Sequence, residues 1–217
     1  MANVATTYEA DKYVEELGYD DHFHDHHHGD KYQSNFISHY IFSMDHKMIA
    51  KQFLITGMFW AVIGAAMSVI FRLQLGFPEE SLAWLKPVLG KWIVVQNGIG
   101  TLAPEFYYAL VTMHGTILVF FVLTAGLSGT FSNLLIPLQL GARDMASPFM
   151  NMLSYWFFFM AGVVMFYSLF ISTGPFSGGW TAYPPLSALP QASTGSGTGM
   201  TLWLVALTLF VVSTLLG

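Results

Sequence analysis

The stretch that decides the fold runs from residue 106 to residue 142 and reads FYYALVTMHGTILVFFVLTAGLSGTFSNLLIPLQLGA. It contains no Lys, Arg, Asp or Glu, and its histidine, His114, is the last histidine of the chain. About 20 apolar residues in helical form cross the ~30 Å hydrocarbon core of a bilayer, so the stretch predicts a membrane-spanning helix. An ionisable side chain inside a span usually has a polar partner, a metal or a role in a proton path. Spacing alone leaves His114 open between a hydrogen-bonded core histidine and a ligand.

Charge is scarce and unevenly distributed along the chain. Charged residues make up 10% of the 217 residues and hydrophobic residues 54%, whereas soluble domains carry about 25% charged residues. Nine of the 13 acidic residues and four of the eight basic ones precede Gln52, and only Arg143 and Asp144 are charged beyond Glu105. The pattern indicates a short polar head on a membrane-embedded body. The net charge of −5 comes mostly from that head, so nothing indicates a nucleic-acid partner.

Cysteine is absent, which excludes disulfides, thiolate-ligated haem, iron–sulfur clusters and copper–thiolate centres from this chain. A metal bound here is therefore held by His, Met, carboxylate or carbonyl groups. The head carries five histidines interleaved with aspartates, namely His22, His24, His26, His27 and His28. Such a tract binds divalent metals in some proteins and is a solvated tail in others. A non-enzymatic membrane protein that binds metal through this head is one hypothesis from a separate functional class.

The apolar runs predict an all-α integral membrane fold. We expect a polar head at 1–35, an interfacial segment at 36–52 and a transmembrane region at 53–217. Four spans are expected, at about 53–71, 107–131, 150–172 and from about 200 onwards, with an amphipathic connection at 76–105. The last span is still running at Gly217, so we expect a piece of a longer subunit. Small residues such as Gly57 and Gly64 predict close helix contacts.

Orientation and chemistry depend on the few polar residues near the spans. Lys and Arg near the span ends divide three against three, and Lys12 and Lys31 tip the count towards a cytoplasmic N-terminus.

Gly115 leaves room beside His114 for a flat group, and an apolar wall one turn away would suit a porphyrin or simple core packing. That wall consists of Leu110, Val111, Ile117 and Leu118.

Three further polar positions are candidates from spacing alone. Arg72, at the outer end of the first span, either reaches the headgroups or donates to a buried cofactor. Asp144 lies in a loop, and Asn133 and Asn151 flank that loop at the ends of two spans. The three side chains either converge at one membrane face, where they could collect protons and order water, or belong to an ordinary surface loop.

Several separate motifs occur in a fixed order between Asp45 and Gly217. They are Asp45-His46-Lys47, Phe71-Arg72-Leu73-Gln74-Leu75-Gly76, Thr112-Met113-His114-Gly115, Asn133-Leu134-Leu135-Ile136-Pro137-Leu138, Gly141-Ala142-Arg143-Asp144-Met145-Ala146, Pro148-Phe149-Met150-Asn151 and Gly179-Trp180-Thr181-Ala182-Tyr183-Pro184-Pro185-Leu186. In this order they resemble the first part of subunit I of the haem–copper terminal oxidases, most closely the aa3-type cytochrome c oxidases. The resemblance implies the first four helices of a bundle of about twelve membrane-spanning helices.

The resemblance also implies a haem site. His114 would be one axial ligand of the low-spin haem a, a form of haem A, and so the ligand of its iron. Arg72 would donate to the formyl group of that haem. Trp180 and Tyr183 match a loop motif near the haem region. The second axial ligand, the high-spin haem a3 and copper B are expected on later helices, beyond Gly217.

A proton pathway follows from the same resemblance. Asp144 would be the entrance of the D pathway, Asn133 and Asn151 would line its first stretch, and Ser213 and Thr214 match hydroxyl positions further along it. The implied enzyme takes electrons from cytochrome c or a cytochrome c domain, reduces oxygen and pumps protons across a bacterial cytoplasmic membrane. Subunits II and III are the implied partners, within a respiratory supercomplex in some cases.

Two alternatives belong to the same superfamily. A quinol oxidase remains open because subunit II mainly selects the donor, while a nitric oxide reductase fits Asp144 and its asparagines less well. The sequence departs from many relatives at three positions. Gln74 replaces a glutamate of an outer cation site, Ala125 replaces a proline, and Met152 replaces a second asparagine.

Overall fold

The computed structural model describes residues 40–78, 81–96, 98–189 and 197–217. The His-rich head, including His22 to His28, lies outside the described residues, so the metal-binding hypothesis for it stays a prediction. Contacts within the chain divide it between Ile41 and Phe42, and the fold below is that of the compact unit Phe42–Gly217.

Four helical spans dominate this unit, as the apolar runs predict. Each is long and apolar enough to cross a membrane. Six α-helices occur in the described part: α1 (His46–Gly76), α2 (Lys86–Leu89), α3 (Pro104–Thr116), α4 (Gly129–Leu140), α5 (Pro148–Ser168) and α6 (Gly197–Leu216). The first, third and fourth spans are α1, α5 and α6, and the second span is the continuous helical run Pro104–Leu140. The all-α membrane fold is confirmed, although the span ends differ from the expected ones by several residues.

The second span is not a uniform α-helix. A π-helical segment, Ile117–Ser128, separates α3 from α4. Thr124 Oγ1 accordingly donates to the carbonyl of Val119, five residues back, at 2.8 Å. π-Helical turns are rare and occur frequently at functional sites. Ala125, where many relatives carry a proline, lies inside this segment, so the departure from α geometry here does not need a proline.

The predicted amphipathic connection contains structure that periodicity did not reveal. After short helical turns at Ala83–Leu85, α2 and Gly90–Trp92, an antiparallel hairpin pairs β1 (Ile93–Gln96) with β2 (Ile99–Leu102). Gly98 sits in the turn at φ +85°, a conformation that glycine adopts without steric cost. Gln74 Oε1 accepts the backbone N–H of Leu102 at 2.9 Å and so ties the end of α1 to β2.

The four spans meet around Phe121, which is fully buried. Its ring centroid lies 5.1 Å from that of Trp60 in the first span, 5.8 Å from Phe158 in the third and 5.9 Å from Phe210 in the fourth. Aromatic contacts at these separations add to the packing energy of the buried area. Outward-facing positions of the same helices are apolar as well, for example Ile55 at 70% exposure, which is the pattern of a lipid-facing surface.

The first two spans cross at a pair of glycines. A Cβ added to Gly57 would lie 2.7 Å from the Gly126 Cα, and one added to Gly126 would lie 2.9 Å from the Gly57 Cα. Only glycine, whose side chain is a hydrogen atom, fits at this distance. Small residues of this kind allow helix backbones to approach closely in lipid. The close contact predicted at Gly57 is confirmed.

Candidate functional site

His114 is held by the backbone of the first span. Its Nδ1 lies 2.8 Å from the carbonyl oxygen of Gly64. A carbonyl oxygen only accepts, so the proton of this hydrogen bond resides on Nδ1. Nε2 of the neutral ring then keeps its lone pair. A metal binds this nitrogen when the other ring nitrogen is anchored by a hydrogen bond in this way. Among the described residues, no hydrogen bond occupies Nε2.

The residues around His114 orient the imidazole ring. The Phe71 ring meets it edge-on, with centroids 5.4 Å apart. Arg72, the next residue on α1, is exposed and uses Nε to donate to Ser68 Oγ at 3.0 Å. The other four guanidinium N–H donors of Arg72 remain available. The first span therefore brings a ring-positioning aromatic residue to His114, and Arg72 follows it directly in sequence with its remaining N–H donors free.

The space beside Gly115 differs from the expectation. We expected room for a flat group, and that position is covered by the indole of Trp180, whose Cδ1 would lie 3.3 Å from a Cβ on Gly115. The expected apolar wall is also divided. Leu110 and Ile117 are buried in the core, while Val111 is 41% exposed. With 3.6 residues per helical turn, Leu110 and Ile117 lie to one side of the histidine and Val111 lies to the other, so only the first two face the core.

The loop carrying Trp180 is tied to the second span by the buried hydroxyl of Thr112, and the neighbouring Thr116 ties the fourth span to it. The Gly179 backbone N–H donates to Thr112 Oγ1 at 3.0 Å. Thr116 Oγ1 donates to the Thr112 carbonyl at 2.9 Å and accepts from Trp203 Nε1 at 3.0 Å. Tyr183 is 73% exposed, and no contact between described side chains links it to His114. Sequence reasoning missed both threonines, although Thr112 belongs to the Thr-Met-His-Gly motif.

At the opposite end of the bundle, Asp144 pairs with a buried histidine. Its Oδ1 lies 3.2 Å from His46 Nδ1, and their side chains are 43% and 4% exposed. Oδ1 also accepts the backbone N–H of Met145 at 2.8 Å, while Asp45 Oδ1 lies 3.6 Å from the same His46 nitrogen. His46 Nε2 is buried without a hydrogen-bond partner in the described part of the chain. The imidazole therefore connects a surface carboxylate to the interior.

Sequence reasoning quoted the Asp45-His46-Lys47 motif and assigned His46 no role. The sequence signal that could have identified His46 is its position directly before an apolar span. Asp45 N-caps α1, since its Oδ1 accepts the Lys47 N–H at 3.0 Å. This cap fixes His46 as the first helical residue and directs its side chain inwards. Arg143, the expected neighbour of Asp144, forms no ion pair within the part of the chain that is described.

A polar cavity of about 310 Å³ lies between the spans. It brings together Asn133, Ser213 and Thr214 from the predicted set, and its other polar lining residues are Thr124, Ser128, Ser132 and Ser154. The Asn133 amide donates from Nδ2 to the Gly129 carbonyl at 2.7 Å, whereas its Oδ1 is buried with no partner in the described residues. Asp144 does not line this cavity.

Asn151 lies one helical turn before the cavity. Its backbone carbonyl accepts from Ser154 Oγ at 2.8 Å, and the Ser154 carbonyl accepts from Ser213 Oγ at 2.7 Å. Both polar atoms of the Asn151 side chain are buried and have no partner among the described residues. Buried amides are normally hydrogen-bonded, to protein or to ordered water. The cavity is lined by polar side chains, and its volume far exceeds the ~15 Å³ that one water requires.

Known proteins of one family are similar to this chain. The family described as "Cytochrome C and Quinol oxidase polypeptide I" matches residues 48–217. The chain is 37% identical over 178 residues to the alternative cytochrome c oxidase subunit 1 of Bradyrhizobium diazoefficiens, a match that covers 82% of the chain and 27% of that protein. It is 33% identical over 179 residues to the cytochrome c oxidase subunit 1 of Thermostichus vulcanus, covering 82% of the chain and 28% of the relative.

A relative named as a ubiquinol oxidase has the same identity over a shorter stretch. The ubiquinol oxidase subunit 1 of Acetobacter aceti is 37% identical over 164 residues, covering 75% of the chain and 22% of that protein. The chain thus spans about a quarter of the length of these relatives. The family match covers both the His114 and the Asp144 regions of the described fold. The chain belongs to the cytochrome c and quinol oxidase polypeptide I family, the subunit I family of the haem–copper oxidases.

Proposed function

We propose that this chain is part of the catalytic subunit of a respiratory terminal oxidase and that His114 is one axial ligand of its low-spin haem a. The observation that carries the proposal is the hydrogen bond from His114 Nδ1 to the Gly64 carbonyl, which leaves Nε2 free for iron. A histidine kept only for core packing gains nothing from a free second nitrogen. When bound, the haem supplies one-electron redox chemistry.

The chain's own residues orient and anchor that group. The Gly64 carbonyl fixes the tautomer of His114 and increases its basicity as a ligand. Phe71 fixes the ring plane. Arg72 is proposed to donate its free N–H groups to a polar haem substituent, the formyl group of haem A, in place of its exposed position against Ser68. Trp180 and Tyr183 are proposed to border the haem region from the loop that Thr112 anchors.

We further propose that Asp144 takes up protons at the cytoplasmic face of a bacterial inner membrane. Its half-exposed carboxylate meets bulk water, and its hydrogen bond to buried His46 gives the proton an inward route. Asn133, Ser213 and Thr214 would hold a chain of waters in the cavity that they line, and Asn151 would extend it from one helical turn away, because buried amide atoms of both asparagines need partners. The family resemblance supports this order of residues, and the whole pathway serves proton pumping in the complete enzyme.

High-spin haem a3, copper B and partner subunits II and III would complete the enzyme, with cytochrome c or a cytochrome c domain as donor. Two relatives named cytochrome c oxidase favour that donor. The quinol oxidase remains the second candidate because a ubiquinol oxidase subunit is also 37% identical, over 164 residues. Turnover of the purified oxidase with reduced cytochrome c against ubiquinol separates the two. Oxygen consumption that occurs with ubiquinol and not with reduced cytochrome c would overturn the cytochrome c assignment.

A further inference from the structure

The hairpin end of the bundle contains a second polar cavity that plays no part in the proposed electron or proton route. It has a volume of about 300 Å³ and lies between the segment around β1 and the loop that follows α5. Its polar lining comprises Lys91, Glu105, Ser172, Thr173 and Ser177. Neither His114 nor Asp144 lines it.

The cavity holds one charge of each sign. Lys91 and Glu105 are both exposed, and within the described ranges the two form no ion pair with each other. Lys91 Nζ donates to the Ser172 carbonyl, so two of its three N–H donors remain. In the same part of the chain, the hydroxyls of Ser172, Thr173 and Ser177 have no hydrogen-bond partner.

We propose that this cavity binds the headgroup of a zwitterionic phospholipid, with its phosphate on Lys91 and its primary ammonium on Glu105. The two free N–H groups of Lys91 and the three hydroxyls suit phosphate oxygens, and the carboxylate accepts from an N–H-bearing ammonium. The cavity lies where apolar spans end, and it is lined by Trp92, a residue type that is enriched at the level of lipid headgroups.

The packing of Trp92 makes the site selective for a primary ammonium. A quaternary ammonium is recognised by open aromatic faces. The Trp92 ring already stacks on Phe106, with centroids 4.9 Å apart, and Lys91 Nζ lies 4.6 Å from its centroid. The ring therefore has other partners, and Glu105 is the remaining group that attracts a cation. Phosphatidylethanolamine fits this arrangement better than phosphatidylcholine, and phosphatidylglycerol lacks the cation altogether.

The experiment is lipid binding by the complete oxidase. The purified enzyme is delipidated, placed in nanodiscs of equimolar phosphatidylethanolamine, phosphatidylcholine and phosphatidylglycerol, and released for native mass spectrometry. Phosphatidylethanolamine should stay bound in preference to the other two. Lys91→Gln should reduce retention of phosphatidylethanolamine and phosphatidylglycerol about fivefold, whereas Glu105→Gln should reduce phosphatidylethanolamine alone by a similar factor. Lys86→Gln, a change on the same segment outside the cavity, should leave retention unchanged.

Four results would overturn the proposal. Equal retention in the wild type, Lys91→Gln and Glu105→Gln would show that the cavity holds no headgroup, as would its coverage by another part of the oxidase. Equal retention of phosphatidylcholine would refute recognition of a primary ammonium. Retention of soluble phosphoethanolamine by the delipidated enzyme in preference to phosphatidylethanolamine would identify a site for a soluble zwitterion in place of a lipid. The haem spectrum of each variant checks that the enzyme remains assembled, so these outcomes are independent of the His114 assignment.

Discussion

The backbone N–H of Gly179 donates a 3.0 Å hydrogen bond to the Thr112 hydroxyl across 67 residues of sequence. Thr112 lies two residues before His114, and Gly179 lies one residue before the Trp180 indole that covers Gly115. The bond therefore couples the loop to the helix at the proposed haem ligand. Thr112 would act as a positioning residue, because its hydroxyl holds the loop that carries Trp180.

Removing that hydroxyl should disturb the haem without removing it. Thr112→Val keeps the shape of the side chain and leaves the Gly179 N–H without its acceptor, at a cost of about 1–3 kcal/mol. We expect a shift of the low-spin haem absorption band and of its midpoint potential. Thr112→Ser should restore both. Identical spectra and potentials in the wild type and Thr112→Val would show that the loop does not depend on this bond.

Enlarging the glycine crossing should destabilise the bundle. Gly57→Ala places a Cβ 2.7 Å from the Gly126 Cα, and forcing apart well-packed backbone typically costs about 1–3 kcal/mol. The thermal unfolding midpoint of the purified oxidase should fall. Gly76→Ala is the matched control, since a Cβ there meets nothing within 4 Å. Equal unfolding midpoints for the two variants would contradict the close contact.

The proton-uptake proposal is tested at Asp144. Asp144→Asn keeps a hydrogen-bond acceptor for His46 and removes the titratable carboxylate. Turnover should fall by roughly 10²-fold, the usual contribution of a positioned proton-transfer group, and pumping should weaken while both haems stay bound. Arg143→Gln, its exposed neighbour, should turn over normally. Normal turnover and pumping in Asp144→Asn would return that residue to an ordinary surface role.

Replacing Asn151 with an apolar residue should lower the activity of the oxidase without lowering its stability. Both polar atoms of the Asn151 side chain are buried without a partner in the described part of the chain. Asn151→Leu removes these atoms, so the unfolding midpoint should be unchanged or higher. Turnover should decrease, because the apolar side chain excludes the proposed water. A loss of stability at unchanged turnover would mean that Asn151 is a structural residue only.

The spans could be predicted from sequence because an uninterrupted run of about 20 apolar residues in lipid satisfies its backbone hydrogen bonds within the segment only as a helix. The same reasoning missed β1 and β2, whose four-residue length is too short for a clear alternation. It predicted His114, Arg72 and Asp144 as site residues through ordered motifs. It did not identify their partners, since Gly64 lies 50 residues from His114 and His46 lies 98 residues from Asp144. Such pairs arise only from the packing of distant spans.

The ligand role of His114 is tested most directly by the low-spin haem spectrum of the complete oxidase carrying His114→Ala. The expected result is loss of the reduced low-spin haem a band. The variant leaves the sequence of α1, including Gly64, unchanged. His46→Ala, which alters a buried histidine at the other end of the bundle, should keep that band. A His114→Ala enzyme that assembles and retains the normal low-spin haem band would contradict the assignment.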